Sequence, residues 1–284
     1  MNLSCIIATI GEKLVELEKL ISSIVLSKKE YDVEIIIVSQ SHHIEIENMI
    51  MKYSGSINIV HIKSSVLGIS HNRNLGLNVA CGEILAFPDD DCYYHEDVIG
   101  NVIEFFQQNN NNNILVGRHM DPDNGRSPRF QDSKMRTFSK KNIFEAFNSI
   151  TIFIKLKEKM KFDENLGAGT FFGASEESDL IYRYMEKNDE IGIIDLRIII
   201  FHKVYDYDEI SLAKVKSYAR GQGAWIKKEN RYIKEPKIFI EKLIIRPLLG
   251  VILSLLLFQK TILLYRINRA FGLYTGFFLY KNNV

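Results

Sequence analysis

Three consecutive aspartates, Asp89, Asp90 and Asp91, follow an apolar run in the segment AFPDDDC (residues 86–92). Carboxylates this close repel one another, so the cluster needs water or a cation to screen its charge. In an extended segment Asp89 and Asp91 point the same way and can share one divalent ion. Carboxylate oxygens suit Mg²⁺ or Mn²⁺, which in turn bind phosphate oxygens. Taken alone, the triplet is as compatible with a solvated turn or an acidic helix start.

A second candidate is the stretch LGISHNRNLG at residues 67–76. Gly68 allows the backbone to approach a ligand closely, and Arg73 near a helix start offers a planar guanidinium to a phosphate. A lone glycine-containing stretch is weak evidence for a ligand site. However, this one precedes the aspartates by one helix and one strand in the predicted order, so both can converge on a single diphosphate.

Two further features carry titratable groups. Glu176 and Glu177 fall in the first turn of a predicted helix, where the helix dipole favours acids for structural reasons alone. The functional alternative is that one of them faces a cleft and accepts a proton from a sugar hydroxyl. His202 ends the apolar run 191–201 and is either an ordinary strand-end histidine or a metal ligand, between which the local pattern does not decide.

The elements that must position these residues alternate along the first half of the chain. Short apolar runs predict strands at 3–9, 33–38, 57–62 and 83–87, and helical patterns follow them at about 14–25, 44–53, 72–80 and 97–108. This order predicts an α/β fold with a mainly parallel sheet and helices on both faces. Ligands of such sheets bind beyond the carboxyl ends of the strands, where AFPDDDC lies. The loop at 121–134, rich in proline, glycine and charge, is a candidate lid.

Composition limits the classes of function. A chain of 284 residues that is 46% hydrophobic supports one larger domain plus a smaller attachment. A net charge of +1 argues against a general nucleic-acid binder. Three scattered cysteines, Cys5, Cys81 and Cys92, predict neither a disulfide framework nor a zinc cluster. The start, MNLSCIIATI, lacks the features of a secretory signal, so a cytoplasmic location is expected.

The C-terminal part differs in character. Residues 247–258 and 270–280 are uncharged, and each run is shorter than the ~20 apolar residues that span a bilayer. Lysines and arginines surround both runs, whereas Glu241 is the single acid from Lys237 onward. Such a segment predicts helices that lie at the membrane surface beside anionic lipid, on the inner face of the cell membrane. A buried helical hairpin or an oligomer contact is the alternative.

Together and in this order, the four features resemble family 2 glycosyltransferases of the GT-A fold, which is Rossmann-like. The family's glycine loop, DxD motif, acidic helix start and late histidine correspond here to Gly68 with SHNRN, to Asp89–Asp91, to SEESD at 175–179, and to His202. The segments CGEILAFPDDD and FDENLGAG are also typical. The resemblance extends from Leu3 to about Lys228 and includes YARGQGAWIKK. It implies a catalytic domain at 1–230, and the apolar runs beyond it predict a membrane-associating helical region at 231–284.

The resemblance also implies a reaction and roles. An acceptor hydroxyl, deprotonated by Glu177, would attack the anomeric carbon of a nucleoside-diphosphate sugar with inversion. A divalent ion, Mn²⁺ or Mg²⁺, would hold the diphosphate. The implied metal ligands are Asp89, Asp91 and His202, and the implied catalytic carboxylates are Glu177 and Glu176. The implied nucleotide-sugar-binding residues are Thr9, Gly11, Ser39, Gln40, Gly68, Arg73, Asn74, Asp89 and Asp90. The implied residues on the acceptor side are Gly167 and Arg220.

Two departures from the family pattern affect specificity. The second strand is followed by Ser39 and Gln40, where the family often has an acid that contacts the nucleotide, and Glu177 stands where an aspartate is usual. The expected acceptor is a glycan or a lipid-linked glycan in bacterial surface-polysaccharide synthesis. A sugar nucleotidyltransferase is a weaker alternative, because residues 8–13 are too short and too poor in glycine for its signature loop. A non-catalytic, membrane-bound scaffold of the same fold is the alternative from another class.

Overall fold

The computed structural model describes residues 1–128, 134–143, 146, 148–229, 241 and 245–281. Its contacts divide the chain into two compact units, one formed by Met1–Lys161 with Leu180–Val204 and the other by Phe162–Asp179 with Tyr205–Val284. The predicted domain boundary at 230/231 and the middle of the predicted lid, 129–133, lie outside the described residues.

The first unit begins with four parallel strands in the spatial order β3-β2-β1-β4, which confirms the predicted α/β architecture. The strands β1 and β2 are buried along nearly their whole length, as expected for a parallel sheet covered on both faces. Their bounds are β1 Leu3–Thr9, β2 Val33–Ser39, β3 Asn58–Lys63 and β4 Ile84–Ala86. The helices between and after them are α1 Leu14–Lys28, α2 His43–Ile50, α3 Ile69–Leu77 and α4 Val98–Gln108.

The sheet continues beyond β4 with mixed strand directions. In the described residues its order is β4-β8-β6-β9-β5, with β7 paired to β9. The strand β8 runs antiparallel to both of its neighbours, and β6 and β9 are parallel. Because β9 pairs along β6, its end reaches the same edge as the end of β6. The bounds are β5 Tyr93–Tyr94, β6 Ile114–Met120, β7 Arg136–Phe138, β8 Ile152–Lys155 and β9 Gly192–Phe201.

The helix α3 begins at Ile69, three residues before its predicted start. Its buried side chains are polar and include Asn72, Arg73 and Asn74. Because this stretch carries almost no apolar periodicity, its first turn lacks the apolar stripe by which a helix is predicted. Burial of polar side chains without an apolar stripe marks this helix as part of a polar site.

The second unit contains the start of α5 (Glu176–Asn188), which continues into the first unit, and the helices α6 (Leu212–Lys228), α7 (Arg246–Leu256) and α8 (Lys260–Leu279). The helix α8 packs along α6. The first uncharged run of the sequence forms α7, and the second forms the C-terminal half of α8. Among the described residues, no helix combines the length and the apolar character that crossing a membrane requires.

Candidate active site

The turn after β4 places Asp89 against a buried arginine. The Nη2 atom of Arg73, on α3, donates to Oδ1 of Asp89 at 2.9 Å. The arginine side chain is almost fully buried, whereas Asp89 is about one-third exposed. A buried guanidinium needs a carboxylate partner, so this pair fixes α3 to the acidic turn. The glycine stretch and the acidic triplet therefore meet, as the sequence predicts.

Asp90 is held by the turn that follows β1. The hydroxyl of Thr9 donates to Oδ2 of Asp90 at 2.6 Å and accepts the backbone N–H of Gly11 at 2.9 Å. Burial raises the pKa of Asp90, and the hydrogen bond from Thr9 and the charge of Lys13 oppose that shift only in part. Gly11 has a φ of +90°, which a residue with a side chain rarely adopts. The end of β1 and the end of β4 thus form one polar surface.

Asp91 is contacted by two basic side chains. Nε2 of His202 lies 3.1 Å from Oδ1, and Nζ of Lys13 lies 2.5 Å from Oδ2. Burial would raise the pKa of Asp91, but the hydrogen bonds from His202 and Lys13 outweigh it and hold the pKa far below its ordinary range. Asp91 therefore stays ionised at neutral pH.

His202 is positioned at the end of β9 by its own neighbours. Its backbone N–H donates to the carbonyl of Met120, and its Nδ1 lies 2.7 Å from the carbonyl of Lys203. Since a carbonyl only accepts, Nδ1 carries a proton and Nε2 is the atom directed at Asp91. Burial lowers the pKa of His202, but the hydrogen bond and charge of Asp91 reverse that shift and raise it above 6.5.

A histidine and an asparagine that sequence patterns did not single out support this corner. Nε2 of His119 donates to the carbonyl of His202 at 2.8 Å, and the amide of Asn148 donates to Nδ1 of His119 at 3.0 Å. The two imidazole rings stand edge to face with centroids 5.3 Å apart. His119 lies on β6, so β6 and β9 jointly fix the place of His202.

The donor chemistry of Asp91 and His202 fits a divalent metal ion. A carboxylate oxygen and an imidazole nitrogen 3.1 Å apart can bind one ion, and the second oxygen of Asp91 already pairs with the ammonium of Lys13. Asp89 is directed to Arg73 instead, so the three predicted ligands do not converge here. Within the described residues, three potential ligand atoms come together at His95, Glu96 and Asp97, but the last two are exposed or half-buried acids and Asp97 already pairs with Lys29.

Ser39 and Gln40, predicted to bind the nucleotide, are engaged with the protein. The hydroxyl of Ser39, fully buried, lies 2.6 Å from Nδ1 of His43 and 2.8 Å from Nε2 of His61. Burial lowers the pKa of His61. Oε1 of Gln40 accepts the backbone N–H of Gly68 at 3.0 Å. These contacts order the loops after β2 and before α3, and the two histidines are additional members that no local motif revealed.

In the second unit, the two predicted catalytic glutamates differ in accessibility. Glu176 is 5% exposed, whereas Glu177 is half-buried and therefore the more accessible to a substrate. The preceding residue, Ser175, has a φ of +74°, a strained value for a residue other than glycine. On the predicted acceptor side, Gly167 is buried in a turn closed by the carbonyl of Phe172, and the guanidinium of Arg220 stacks 4.1 Å above the ring of Phe171.

Comparison with solved structures identifies proteins of similar fold. S. aureus TarS is 16% identical with a TM-score of 0.57, and the match covers 80% of this chain and 44% of TarS, so this chain spans less than half the length of that protein. S. aureus TarS 1-349 in complex with UDP-GlcNAc is 18% identical with a TM-score of 0.56 and coverages of 80% and 66%. The mannosyltransferase PcManGT from Pyrobaculum calidifontis, in complex with GDP-Man and Mn²⁺, is 14% identical with a TM-score of 0.67 and coverages of 95% and 86%. At these identities the likeness concerns the fold.

Sequence comparison supplies the family. No curated protein matches the chain in sequence. The family model described as "Glycosyl transferase family 2" matches residues 4–178, which is more than half of the 284 residues and includes the acidic turn, Arg73, Glu176 and Glu177. The chain belongs to glycosyl transferase family 2, and its fold is that of the GT-A glycosyltransferases.

Proposed function

We propose that this glycosyltransferase transfers a sugar, with inversion, from a nucleoside-diphosphate sugar to a glycan or lipid-linked acceptor in bacterial cell-surface polysaccharide synthesis. The observation that carries the proposal is the contact of Asp91 with His202, in a turn whose other two aspartates are held by Arg73 and Thr9. This arrangement supports a site that recognises a diphosphate through a cation. The neighbours that bind UDP-GlcNAc or GDP-Man with Mn²⁺ support the same class of donor.

Asp91 and His202 would hold the divalent ion, Mn²⁺ or Mg²⁺. When bound, such an ion neutralises the donor phosphates and stabilises the departing nucleoside diphosphate. Lys13 contacts the other oxygen of Asp91, Oδ2, so its ammonium and a bound ion would share one carboxylate and repel each other. The donor site is proposed to lie at the ends of β1, β2 and β4, with Asp89 held in place by Arg73. Its other proposed residues are Thr9, Gly11, Ser39, Gln40, Gly68, Arg73, Asn74 and Asp90.

Glu177 is proposed as the general base. Its carboxylate takes the proton of the acceptor hydroxyl as the oxygen forms a bond to the anomeric carbon, and the bond from that carbon to the phosphate oxygen breaks. The products are the glycosylated acceptor and a nucleoside diphosphate. Glu176 is the second candidate, and its burial is the reason for ranking it lower. Gly167 and Arg220 are proposed to lie on the acceptor side.

Thermal stabilisation by UDP, GDP, dTDP and CMP, each with and without Mn²⁺ or Mg²⁺, tests the donor site. Stabilisation by one nucleotide that requires metal and is lost in Asp91→Ala supports the proposal and identifies the base. If no nucleotide stabilises a folded sample, the non-catalytic alternative replaces it. Release of pyrophosphate from a nucleoside triphosphate in the presence of a sugar phosphate, with formation of a nucleoside-diphosphate sugar, would indicate the nucleotidyltransferase alternative.

Substitution of the acids tests the chemical step. Glu177→Gln should lower kcat by about 10²–10⁴-fold, since a general base contributes that much to proton transfer. Glu186→Gln, on the exposed side of the same helix, is the matched control. A normal kcat in Glu177→Gln together with a large loss in Glu176→Gln would assign the base to Glu176.

We also propose that the enzyme works at the cytoplasmic surface of the membrane, with α7 in contact with anionic lipid. Leu249, Leu253 and Leu256, spaced to share one side of this helix, are each at least half exposed, and Phe258 directly after it is 93% exposed. Arg246 begins α7, and Lys260 and Arg269 lie on α8; their positive charges match a negatively charged bilayer.

Co-sedimentation with vesicles of phosphatidylglycerol and phosphatidylcholine tests the membrane contact. Leu249→Glu with Leu256→Glu should abolish binding to these vesicles, whereas Val15→Glu, an exposed apolar position on α1, should leave it unchanged. Point changes are preferable to deleting the C-terminal region, because α8 packs along α6 and its removal would damage the second unit. Equal sedimentation of all three proteins would refute the membrane contact.

A further inference from the structure

A buried ionic cluster in the second unit joins the start of α5 to the ends of α6 and α8. Nζ of Lys228, the last residue of α6, lies 2.6 Å from Oδ2 of Asp163 and 2.7 Å from Oδ1 of Asp179. The hydroxyl of Tyr280, directly after α8, donates to the same Oδ2 of Asp163 at 2.8 Å. Asp179 is fully buried, and the side chains of Asp163 and Lys228 are mostly buried. Charges placed this deep are held in fixed positions by their partners.

Asp179 lies in the first turn of α5, two residues after Glu177. Residues two apart on a helix point to different sides, so the anchored side chain of Asp179 faces inward while Glu177 remains half-exposed. Fixing Asp179 therefore fixes the rotation of the first turn about the helix axis. The direction of the Glu177 carboxylate is set by that rotation.

Close backbone packing reinforces the ionic cluster from both sides of α6. On one side, Gly221 touches the backbone of Ala174, so closely that an added Cβ would overlap it. On the other side, Gly223 meets the backbone of Leu273 and Phe277 on α8, and Gly276 of α8 meets the carbonyl of Arg220 with the same lack of space. The helix α6 is thus held between α8 and the segment that leads into α5.

This packing lies next to a strained backbone conformation at Ser175. Ser175, between Ala174 and Glu176, has a φ of +74°, and a non-glycine residue keeps such a value only where its surroundings impose it. The carbonyl of Ser175 accepts the N–H of Asp179 at 3.0 Å and so begins the helix. The strained residue therefore lies between the α6 contact at Ala174 and the ionic anchor at Asp179.

We propose that Lys228 and Tyr280 are positioning residues for Glu177, and that α8, through α6, is a structural part of the catalytic apparatus rather than only a surface anchor. The inference rests on the proposed function, because it concerns the base which that function requires. Neither residue needs to touch the substrate. Lys228 acts through Asp179, and Tyr280 acts through Asp163 and Lys228.

The test compares Lys228→Met and Tyr280→Phe with two matched controls, Lys187→Met and Tyr274→Phe. Lys187 pairs with Glu158 at the far end of α5, and Tyr274 lies on α8 before Tyr280. Lys228→Met should lower kcat about tenfold or more, since small misplacement of a reacting group has large kinetic cost, and Tyr280→Phe should lower it by less. The KM for the donor and the affinity for the nucleoside diphosphate should not change, and both controls should match wild type.

A purely structural role would be revealed by a different pattern. If Lys228→Met loses stability but keeps the wild-type kcat at a temperature where it is folded, the proposal is overturned. If Lys228→Met does not fold, Tyr280→Phe gives the decision, because it removes a single hydroxyl. A kcat of Tyr280→Phe equal to that of Tyr274→Phe would then overturn the proposal.

Amide hydrogen exchange separates failure of this inference from failure of the proposed function. If the wild-type enzyme transfers no sugar from any donor, the function fails, and the positioning can still be measured. Exchange at residues 175–180 should become about tenfold faster in Lys228→Met and in Tyr280→Phe than in the controls, because local opening of the first turn becomes easier. Unchanged exchange in that segment would overturn the inference regardless of activity.

Discussion

Nε2 of His202 lies 3.1 Å from Oδ1 of Asp91 and thereby joins the end of β9 to the turn after β4. The two residues are distant in sequence and come from opposite halves of the sheet. His119 holds the backbone of His202 from β6, and Lys13 contacts the second oxygen of Asp91 from the turn after β1. The surroundings of Asp91 are therefore assembled by residues from four separate segments, and this is where a divalent ion is expected.

Removal of either member of this pair should abolish binding of the metal. Asp91→Asn and His202→Ala should each weaken the affinity for Mn²⁺ by about 100-fold or more, because each removes an atom that binds the ion directly. Loss of a residue that only supports a metal ligand already lowers the affinity by about 10–100-fold. Titration calorimetry with Mn²⁺ and without nucleotide measures this directly. Asp97→Asn removes an acid from the exposed cluster with His95 and Glu96 and should bind Mn²⁺ like wild type. Wild-type affinity in Asp91→Asn would place the ion elsewhere.

Neutralising Asp89 should destabilise the first unit far more than neutralising an exposed acid. Asp89→Asn removes the negative charge that faces the buried guanidinium of Arg73 at 2.9 Å, which costs about 3 kcal/mol of unfolding free energy. The matched variant is Asp97→Asn, which removes an exposed ion pair with Lys29 and should change stability little. Urea denaturation followed by circular dichroism measures both. Equal midpoints for the two variants would show that Arg73 does not depend on Asp89.

The strands and the acidic turn could be predicted from local sequence because their signals are local. The apolar run at residues 33–38 is too short for a typical helix and is rich in β-branched residues, so it predicts a buried strand. Three adjacent aspartates after a strand stand out by composition. The ordered set of motifs predicts the family, which the match over residues 4–178 confirms. The roles of individual residues within that set remain predictions.

The partners of these residues could not be predicted because they depend on tertiary contacts. Lys13 and His119 lie in segments with no distinguishing pattern, and the motif that ends at Lys228 does not reveal that this lysine pairs with Asp163 and Asp179. Ser39, at the end of β2, depends on tertiary contacts in the same way, since its hydroxyl meets His43 and His61, which no local motif indicates. Only the register of β2 and β3 brings His61 to that hydroxyl.

Addition of a methyl group at Gly11 should disturb the turn after β1. The φ of +90° is strained for alanine, and the new Cβ would lie 2.7 Å from the carbonyl oxygen of Ser41 and 2.9 Å from Cβ of His42. Gly55→Ala is a close control because its φ is +86° and nothing lies within 4 Å of the added atom. The control therefore carries the backbone strain alone, about 1 kcal/mol.

Gly11→Ala should lose about 1–3 kcal/mol more unfolding free energy than Gly55→Ala, the usual cost of overpacking. It should also weaken binding of the nucleoside diphosphate, because the N–H of Gly11 orients the hydroxyl of Thr9 toward Asp90. Thermal melts with and without nucleotide separate the two effects. Identical melts for the two alanine variants would show that the turn accommodates the methyl group.

The ionic cluster around Asp163 predicts how stability depends on pH. Burial would raise the pKa of Asp163, but hydrogen bonds from Lys228, the backbone of Asn165 and Tyr280 outweigh it and lower the pKa from 3.8 to about 2. A group whose pKa is lower in the folded than in the unfolded state stabilises the protein above the unfolded pKa, and that contribution is lost as the pH falls through the folded value. The window is therefore from about pH 4 down to about pH 2.

Asp163→Asn removes this contribution and should be less stable than wild type at neutral pH by about 2 kcal/mol, since each unit of pKa shift corresponds to about 1.4 kcal/mol and the side chain is only 12% exposed. The difference between the two proteins should shrink as the pH is lowered through the window, because wild-type Asp163 becomes protonated as well. Urea unfolding at a series of pH values measures this difference in stability. The control is Asp97→Asn, which removes an exposed carboxylate that contacts Lys29. A difference between wild type and Asp163→Asn that stays constant down to about pH 2 would mean that Lys228 contacts Asp163 without stabilising its charge.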